Sequence, residues 1–326
     1  MTQVAIVIPY YQTAPGILRR ALSSIIAQDL PQGISLRVLV VDDASPAPAS
    51  AEAAGLEAPG QVSVEIHVQP NGGPAAARNA ALERLGPEAA FAAFLDSDDV
   101  WRPDHLRRAL EALGAGADLY FCDVDEGDGR TWFERSAFGR EVLEHGPRML
   151  SGSEARSLIL RDHPAHASSV VYRRERLAHA RFRQELRNAG EDHLFWIALA
   201  AAAREVAVSG HVGAVRRNDG VNMFTGLLDW DNPGLLKVLT SILRKYRALE
   251  QDRTLAAADA ELARARRRRS EDQIAFMILR TAARRPANLR SALASLDSDL
   301  GAARWLPQAF VRALADRALG RFELVF

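Results

Sequence analysis

The chain has 326 residues, enough for two domains or for one large domain with an appendage. Its 48% hydrophobic and 25% charged residues are ordinary globular usage, which excludes a disordered or fibrous chain. A single cysteine, Cys122, excludes a disulfide framework and a cysteine-rich zinc site, and the 41 basic and 41 acidic residues cancel to zero net charge.

The N-terminal MTQVAIVIPYY has no basic segment and turns aromatic and polar too early for a signal peptide. Within it, the β-branched run from Val4 to Ile8, ended by Pro9, predicts a buried strand. Residues 16–28 place Ile17, Leu18, Ala21, Leu22, Ile25 and Ile26 on one helical face. Leu36 to Val41 reads as a second strand, a loop rich in Ala, Pro and Ser follows, and Val62 to Val68 alternates as a third strand. Asn71-Gly72-Gly73-Pro74 is turn chemistry, with Pro74 suited to the first turn of a helix that runs to Leu85. Ala90 to Leu95 is a fourth strand. This alternation predicts an α/β fold with a mainly parallel sheet flanked by helices.

Past residue 100 the pattern loosens. Asp104 to Leu113 reads as helix, Asp118 to Val124 as strand, 125–150 as hairpins and loops, and Ser168 to Tyr172 as a short strand. Glu191 to Ala203 is a clear helix, followed by strands at Glu205 to Val208 and near Val212 to Val215. The stretch from Asp229 to Gly234 reads as a boundary, so we expect one domain over 1–230 and a helical C-terminal region over 231–326. That region holds 18 Lys and Arg against 11 Asp and Glu, a net of +7. With the Arg266 to Arg269 run, it is either a solvated helical face or an element for a homodimer or a peripheral contact with an anionic membrane face. No recognisable nucleic-acid module accompanies the run, so no nucleic-acid partner is expected. No apolar stretch approaches the ~20 residues of a membrane-spanning helix. The expectation is a soluble, cytoplasmic protein, peripheral at most at the inner face of the membrane.

Three polar clusters follow the expected parallel strands: Pro9-Tyr10-Tyr11, Asp42-Asp43-Ala44-Ser45 and Asp96-Ser97-Asp98-Asp99. Parallel strands bring all three to one edge, where open α/β sheets bind ligands. Asp and Ser after a strand also serve as turn residues and caps, so the second cluster alone is ambiguous. Three carboxylates within four residues, at the edge of an apolar strand, repel one another. A divalent cation, Mn²⁺ or Mg²⁺, offsets that repulsion. His163 and His166 form an HxxH held in a loop containing proline, a poor frame for zinc.

VIPYY (7–11), VVDDAS (40–45), NGGPAAARNAA (71–81) and FLDSDDVW (94–101), in this order, resemble the family 2 glycosyltransferases of the GT-A fold. SSVVYRRERL (168–177) and NAGEDHLFWIALA (188–200) are similar to the same family's acceptor-side segment and Glu-Asp motif. The resemblance covers about residues 3–225. It implies a GT-A (Rossmann-like) fold and an inverting transfer of sugar from a nucleotide sugar, most simply a UDP-sugar, to a carbohydrate or glycolipid acceptor, as in polysaccharide synthesis. It implies that Asp42, with Pro9 and Tyr11, holds the nucleobase, Asp43 being an adjacent candidate. Asn71, Arg78, Asp96 and Ser97 would line the nucleotide-sugar pocket. Asp98 and Asp96 would meet the metal, Asp192 would be the catalytic base, and Glu191 would orient it or cap its helix. The sequence departs from the pattern at Asn218, where relatives carry a histidine metal ligand. His211 is a weak substitute, and Arg216 or Arg217 would neutralise diphosphate charge. Trp101, Trp132 and Phe133 are sugar-stacking candidates. A nucleotidyltransferase would want a basic, glycine-rich phosphate loop near the N-terminus, and PYYQTAPG (9–16) has neither Lys nor Arg. A catalytically degenerate binding module would not need Asp42, Asp96, Asp98 and Asp192 all in place.

Overall fold

The computed structural model describes residues 1–217, 219–220, 232, 234–284 and 305–318. The chain divides into two compact units, one of Met1–Gln184 with Asp192–Asn222, the other of Glu185–Glu191 with Met223–Phe326. The turn expected at 229–234 falls largely outside the described residues.

In the first unit, the described strands form a single nine-stranded sheet. Its parallel half is built by the expected alternation. β1 (Thr2–Tyr10) pairs in parallel with β2 (Ile34–Asp42) and β4 (Ala89–Phe94), and β2 pairs in parallel with β3 (Val62–Val68). Three helices belong to this half: α1 (Ile17–Ile26), the short α2 (Ala49–Ala53), and α3 (Pro74–Glu83). On α1 the expected stripe Ile17, Leu18, Ala21, Leu22 and Ile25 is buried. The loop after β2 therefore contains a short helix that its Ala, Pro and Ser content masked.

The second half of the sheet is mixed. β5 (Asp99–Trp101) pairs antiparallel with β9 (Glu205–Arg216), and β9 runs parallel to β6 (Leu119–Asp125). β8 (Val171–Arg173) lies antiparallel between β4 and β6, and β7 (Arg148–Ser151) pairs with β9. α4 (His105–Gly114) precedes β6. The two strands expected at 205–215 are one strand whose register to β6 shifts between Cys122 and Val124. The segment 125–150, expected as hairpins and loops, begins with a tight antiparallel bridge between Asp125 and Thr131 and then forms α5 (Ala137–His145) and the start of β7; α6 (Gly152–Asp162) follows, opened by a capping box of Ser151 and Glu154. A short α7 (Arg174–Leu177) follows β8.

α8 (Glu191–Ala202) is anchored by aromatic packing. Trp196 and Phe195 are almost fully buried and meet Phe94 and Phe182 edge-on or stacked, the Phe182–Phe195 rings lying 3.9 Å apart. Such pairs add about 0.5–1.5 kcal/mol each beyond area burial. The start of α8 is thereby tied to the end of β4, which leads into the acidic cluster.

The second unit contains α9 (Leu235–Glu250), α10 (Ala257–Arg284) and a helix at Leu306–Ala318. Leu235, Leu236, Leu239 and Leu243 pack on Ile274, Met277 and Ile278. Within the Arg266 to Arg269 run, Arg267 pairs with Glu250 and Glu271, and Arg269 with Asp316. No described helix is long and apolar enough to cross a membrane.

His105 is fully buried, stacked on Trp101 at 4.7 Å and 3.7 Å from Cys122 Sγ. Burial first, then the His211 charge, pushes its pKa from 6.5 down to about 3. The unfolded chain therefore takes the proton first. The histidine's contribution is intact above pH 6.5 and is lost as pH falls toward 3. Between pH 7 and 4 this amounts to roughly 3 kcal/mol. Denaturant unfolding of His105→Phe across that range should show the acid loss of stability reduced by about this amount relative to wild type; equal slopes would refute it.

Candidate functional site

The ends of β1, β2 and β4 converge, and hydrogen bonds join the loops that follow them. Gln12 is the link: its N–H donates to Ser45 Oγ at 3.2 Å, and its side-chain amide donates to Ser97 Oγ at 3.2 Å. Pro9 is half-buried at the end of β1, and Tyr11 beside it is exposed.

Asp42 and Asp43 are both buried, and their carboxylates turn in different directions. Asp42 accepts from Ser45 N and Ala49 N, both at 2.8 Å, fixing the turn and the start of α2. Asp43 accepts from Gln69 Nε2 (2.8 Å), Gly72 N (2.8 Å) and Gly73 N (2.7 Å), and its carbonyl accepts from Asn71 Nδ2 at 3.0 Å. Gly73 has φ +86°, a conformation that favours glycine, and a Cβ on Gly72 would stand 2.8 Å from Ala76 Cβ. The Asn-Gly-Gly-Pro turn is thus wrapped on the Asp43 carboxylate, and it starts α3 at Pro74.

α3 carries Arg78 into the site. Arg78 is buried, lies over the Phe182 ring, and donates to Asp96 Oδ1 at 2.8 Å. Burial alone would raise the Asp96 pKa, but Arg78, His166 and Arg216 together outweigh it and hold the carboxyl below its usual value. Asp98 has less compensation. Desolvation and then the Asp96 charge push it up to about 6. The buried Asp99 is raised further, by desolvation and then by Asp96 and Asp98.

Asp99 opens β5, directly across from Arg216 of β9. Its Oδ2 accepts from Ser168 Oγ at 2.5 Å, and the same hydroxyl accepts from Asp96 N at 3.1 Å. His166 stands 3.9 Å from Asp99, and its Nδ1 accepts from Ser168 N at 3.2 Å. Desolvation lowers the pKa of His166 to about 4, so at neutral pH it is an uncharged imidazole, whose Nδ1 lone pair is held by Ser168 N. Ligand atoms of Asp96, Asp99 and His166 all lie within 4.8 Å of one another. Two carboxylates and a neutral imidazole suit a divalent cation. Asp98 is next to this group along the chain but does not belong to it.

Asp192, half-buried, is the second residue of α8. It acts on His166, whose pKa its charge raises, so the carboxylate lies near the acidic group. Its Oδ1 accepts from His193 N at 2.7 Å. Glu191 is buried at the first position of α8.

Other candidates fall elsewhere. Trp101 is buried and donates to Ser168 O at 2.7 Å, and Phe133 is fully buried, so both are core residues rather than sugar-stacking surfaces. Trp132 is half-buried, with the Arg135 guanidinium 4.5 Å above its ring. His211 Nε2 faces Asp104 Oδ1 at 3.0 Å and is outside the acidic group. Asn218 lies outside the described residues. Sequence reasoning missed Gln12, Ser168 and His166. His166 had a signal, the HxxH, that zinc spacing could not interpret.

The family model described as "Glycosyl transferase family 2" matches residues 5–179. The succinoglycan biosynthesis protein ExoW of Rhizobium meliloti is 38% identical over 245 residues, covering 73% of this chain and 75% of the relative. The structure of S. aureus TarS 1-349 in complex with UDP-GlcNAc aligns with a TM-score of 0.60 at 18% identity, over 96% of this chain and 80% of that one. The mannosyltransferase PcManGT from Pyrobaculum calidifontis, in complex with GDP-Man and Mn²⁺, aligns at 0.54 and 17%, over 98% and 88%. At these identities the structures share the fold.

The crowding of Asp98 yields a test. Asp98→Asn removes a charge that neighbouring carboxylates oppose, so in metal-free buffer at pH 7 its Tm should equal or exceed that of wild type. Calorimetric titration with Mn²⁺ should show affinity reduced at least tenfold. A lower Tm with unchanged Mn²⁺ affinity would show that Asp98 serves the fold instead.

Proposed function

Because this chain belongs to glycosyl transferase family 2, and is thereby a glycosyltransferase, we propose that it moves a sugar from a UDP-sugar to a carbohydrate or glycolipid hydroxyl with inversion at the anomeric carbon. The observation that carries this reading is the charge arrangement at one sheet edge. Asp96, Asp98 and Asp99 are gathered with two arginines, Arg78 and Arg216, and with a neutral His166. Such a mixture suits a diphosphate together with a divalent cation: the arginines meet phosphate oxygens, and the carboxylates meet the ion.

We assign the ion to Asp96, Asp99 and His166, whose ligand atoms lie together, with the neighbouring Asp98 as a further carboxylate ligand. When bound, it supplies positive charge that stabilises the departing diphosphate. Pro9, Tyr11, Asp42, Asp43, Asn71 and Ser97 form the nucleotide side. Asp42 and Asp43 already hold loop amides; Asp43 Oδ1 takes two of them, while both oxygens of Asp42 and Oδ2 of Asp43 have a second lone pair to offer a base N–H. The UDP assignment takes support from the TarS complex with UDP-GlcNAc, and the cation from the PcManGT complex with Mn²⁺. The ExoW relative, named for succinoglycan biosynthesis, supports a carbohydrate or glycolipid acceptor.

Asp192 is proposed as the general base. The acceptor oxygen attacks the anomeric carbon, its proton passes to the Asp192 carboxylate, and the bond from sugar to diphosphate breaks. α8 is fixed by its aromatic anchor, which holds the carboxylate against a reacting hydroxyl. Arg78 and Arg216 hold the leaving diphosphate in line.

A donor screen should come first: UDP-glucose, UDP-galactose, UDP-GlcNAc and GDP-mannose, each with Mn²⁺, read by release of the free nucleotide. Asp192→Asn should then lower transfer by about 10²–10⁴-fold. Its affinity for UDP with Mn²⁺, measured by calorimetry, should stay within twofold of wild type. Loss of UDP binding would place Asp192 on the donor side. Full transfer by Asp192→Asn with a dead Glu191→Gln would make Glu191 the base.

A further inference from the structure

Of the two histidines of the HxxH, His166 joins the acidic group, and His163 faces Asp192 of α8. We propose that His163 is a positioning residue for Asp192, its imidazole fixing one carboxylate oxygen while the backbone of α8 fixes the other. The inference rests on the reading of Asp192 as the base.

The two oxygens of Asp192 have different neighbours. Oδ1 accepts from His193 N at 2.7 Å. Oδ2 faces His163 Nε2 at 3.9 Å, an ion-pair distance and longer than a hydrogen bond. Contacts at catalytic groups are often long before substrate binds and tighten in the complex. Each oxygen retains a second lone pair, so an acceptor hydroxyl still has a site on the carboxylate.

The His163 ring is itself fixed on several sides. It stacks on the His193 ring with centroids 4.2 Å apart and planes 18° from parallel, and the edge of Trp132 meets it at 6.3 Å. His193 Nε2 donates to Ile159 O at 2.7 Å, and His163 N donates to the same carbonyl at 3.0 Å. Both histidines are thus clamped to the C-terminal end of α6. His163 also sits at φ +49°, ψ +54°, a left-handed conformation uncommon for a residue with a side chain, and its carbonyl accepts from Trp132 Nε1 at 3.1 Å. The helix end that stops α6 is the same turn that aims this imidazole. Such conformations persist where the surroundings over-determine them, and they cluster at functional sites.

The loop from 163 to 166 therefore reaches both parts of the site. His163 stands against the proposed base, and three residues later His166 stands against Asp96 and Asp99. Among the described residues, the charged and titratable groups around the pair include His193 on α8, His166 on the same loop, and Arg216 and Asp96, which act on His166.

NMR of the histidine side chains in the full chain tests the pairing without any substrate. The His163 signal, assigned by its loss in His163→Gln, should titrate at lower pH in Asp192→Asn than in wild type, because the facing anion is gone. The exposed His145 should not move. An unchanged His163 midpoint overturns the proposal. In the transfer assay with the active UDP-sugar, His163→Gln should lower kcat about 10²-fold, the scale of a misplaced catalytic group, with donor KM within twofold. In the Asp192→Asn background the same substitution should add no further loss. Wild-type kcat in His163→Gln, or equal losses in both backgrounds, also overturns it. If Asp192→Asn itself transfers at the wild-type rate, the base reading fails, and the NMR result still decides the pairing.

Discussion

The site depends on one electrostatic problem, the placing of three carboxylates within four residues at the end of a buried strand. Asp96, Asp98 and Asp99 repel one another, and burial raises the cost of each charge. The protein offsets this unevenly. Arg78 and Arg216 draw Asp96 down, and Asp98 and Asp99 remain raised. The surplus negative potential is therefore concentrated where a cation would relieve it. Much of the surrounding architecture follows. Arg78 reaches Asp96 only because α3 starts where it does, and α3 starts there because Asp43 gathers the Gly72 and Gly73 amides. Arg216 is brought across from Asp99 by the pairing of β5 with β9.

Buried carboxylates also organise the loops. Asp42 and Asp43 together accept five hydrogen bonds, four from peptide N–H groups and one from a glutamine amide, leaving little freedom in the segments 43–49 and 69–74. Hydrogen bonds to charged acceptors contribute about 1.5–3 kcal/mol each when desolvated. Residues that look like nucleotide contacts in the sequence thus also serve as scaffolding, and losing one would disturb both roles. Ser168 has the same double character, since a single hydroxyl positions Asp99 and receives the Asp96 amide.

The parallel half of the fold was legible because its signals are local. The stripe on α1, the β-branched runs of β1 to β3 and the proline at the start of α3 each declare an element within a dozen residues. The acidic tetrad was legible as a cluster, but the small strand inside it was not. β5 exists because Asp99 to Trp101 finds β9 more than a hundred residues later, and no window of the sequence contains that partner. α5 was hidden by four glycines between 127 and 146, and α6 follows beyond them, where the Ser151–Glu154 capping box was a readable start signal. His166 was legible as a histidine and not as a neighbour of Asp96. Its role depends on a loop that returns to the end of β4 after seventy residues.

The C-terminal region shows why counted charge is a weak guide to partners. A net of +7 over residues 231–326 suggests an exposed basic face, yet many of its arginines are used inside the unit. Glu271, buried on α10, is approached by Arg247, Arg267 and Arg312, and Arg312 also meets Asp272. Glu250 takes Arg264 and Arg267, and Asp316 takes Arg269. A buried carboxylate shared among several guanidinium groups needs more positive than negative charge nearby, because desolvation penalises the anion strongly unless it is fully paired. An excess of arginine over acid is therefore what such a network requires for its own packing. The basic count of the tail is accounted for in part by holding three helices together, before any surface partner is invoked.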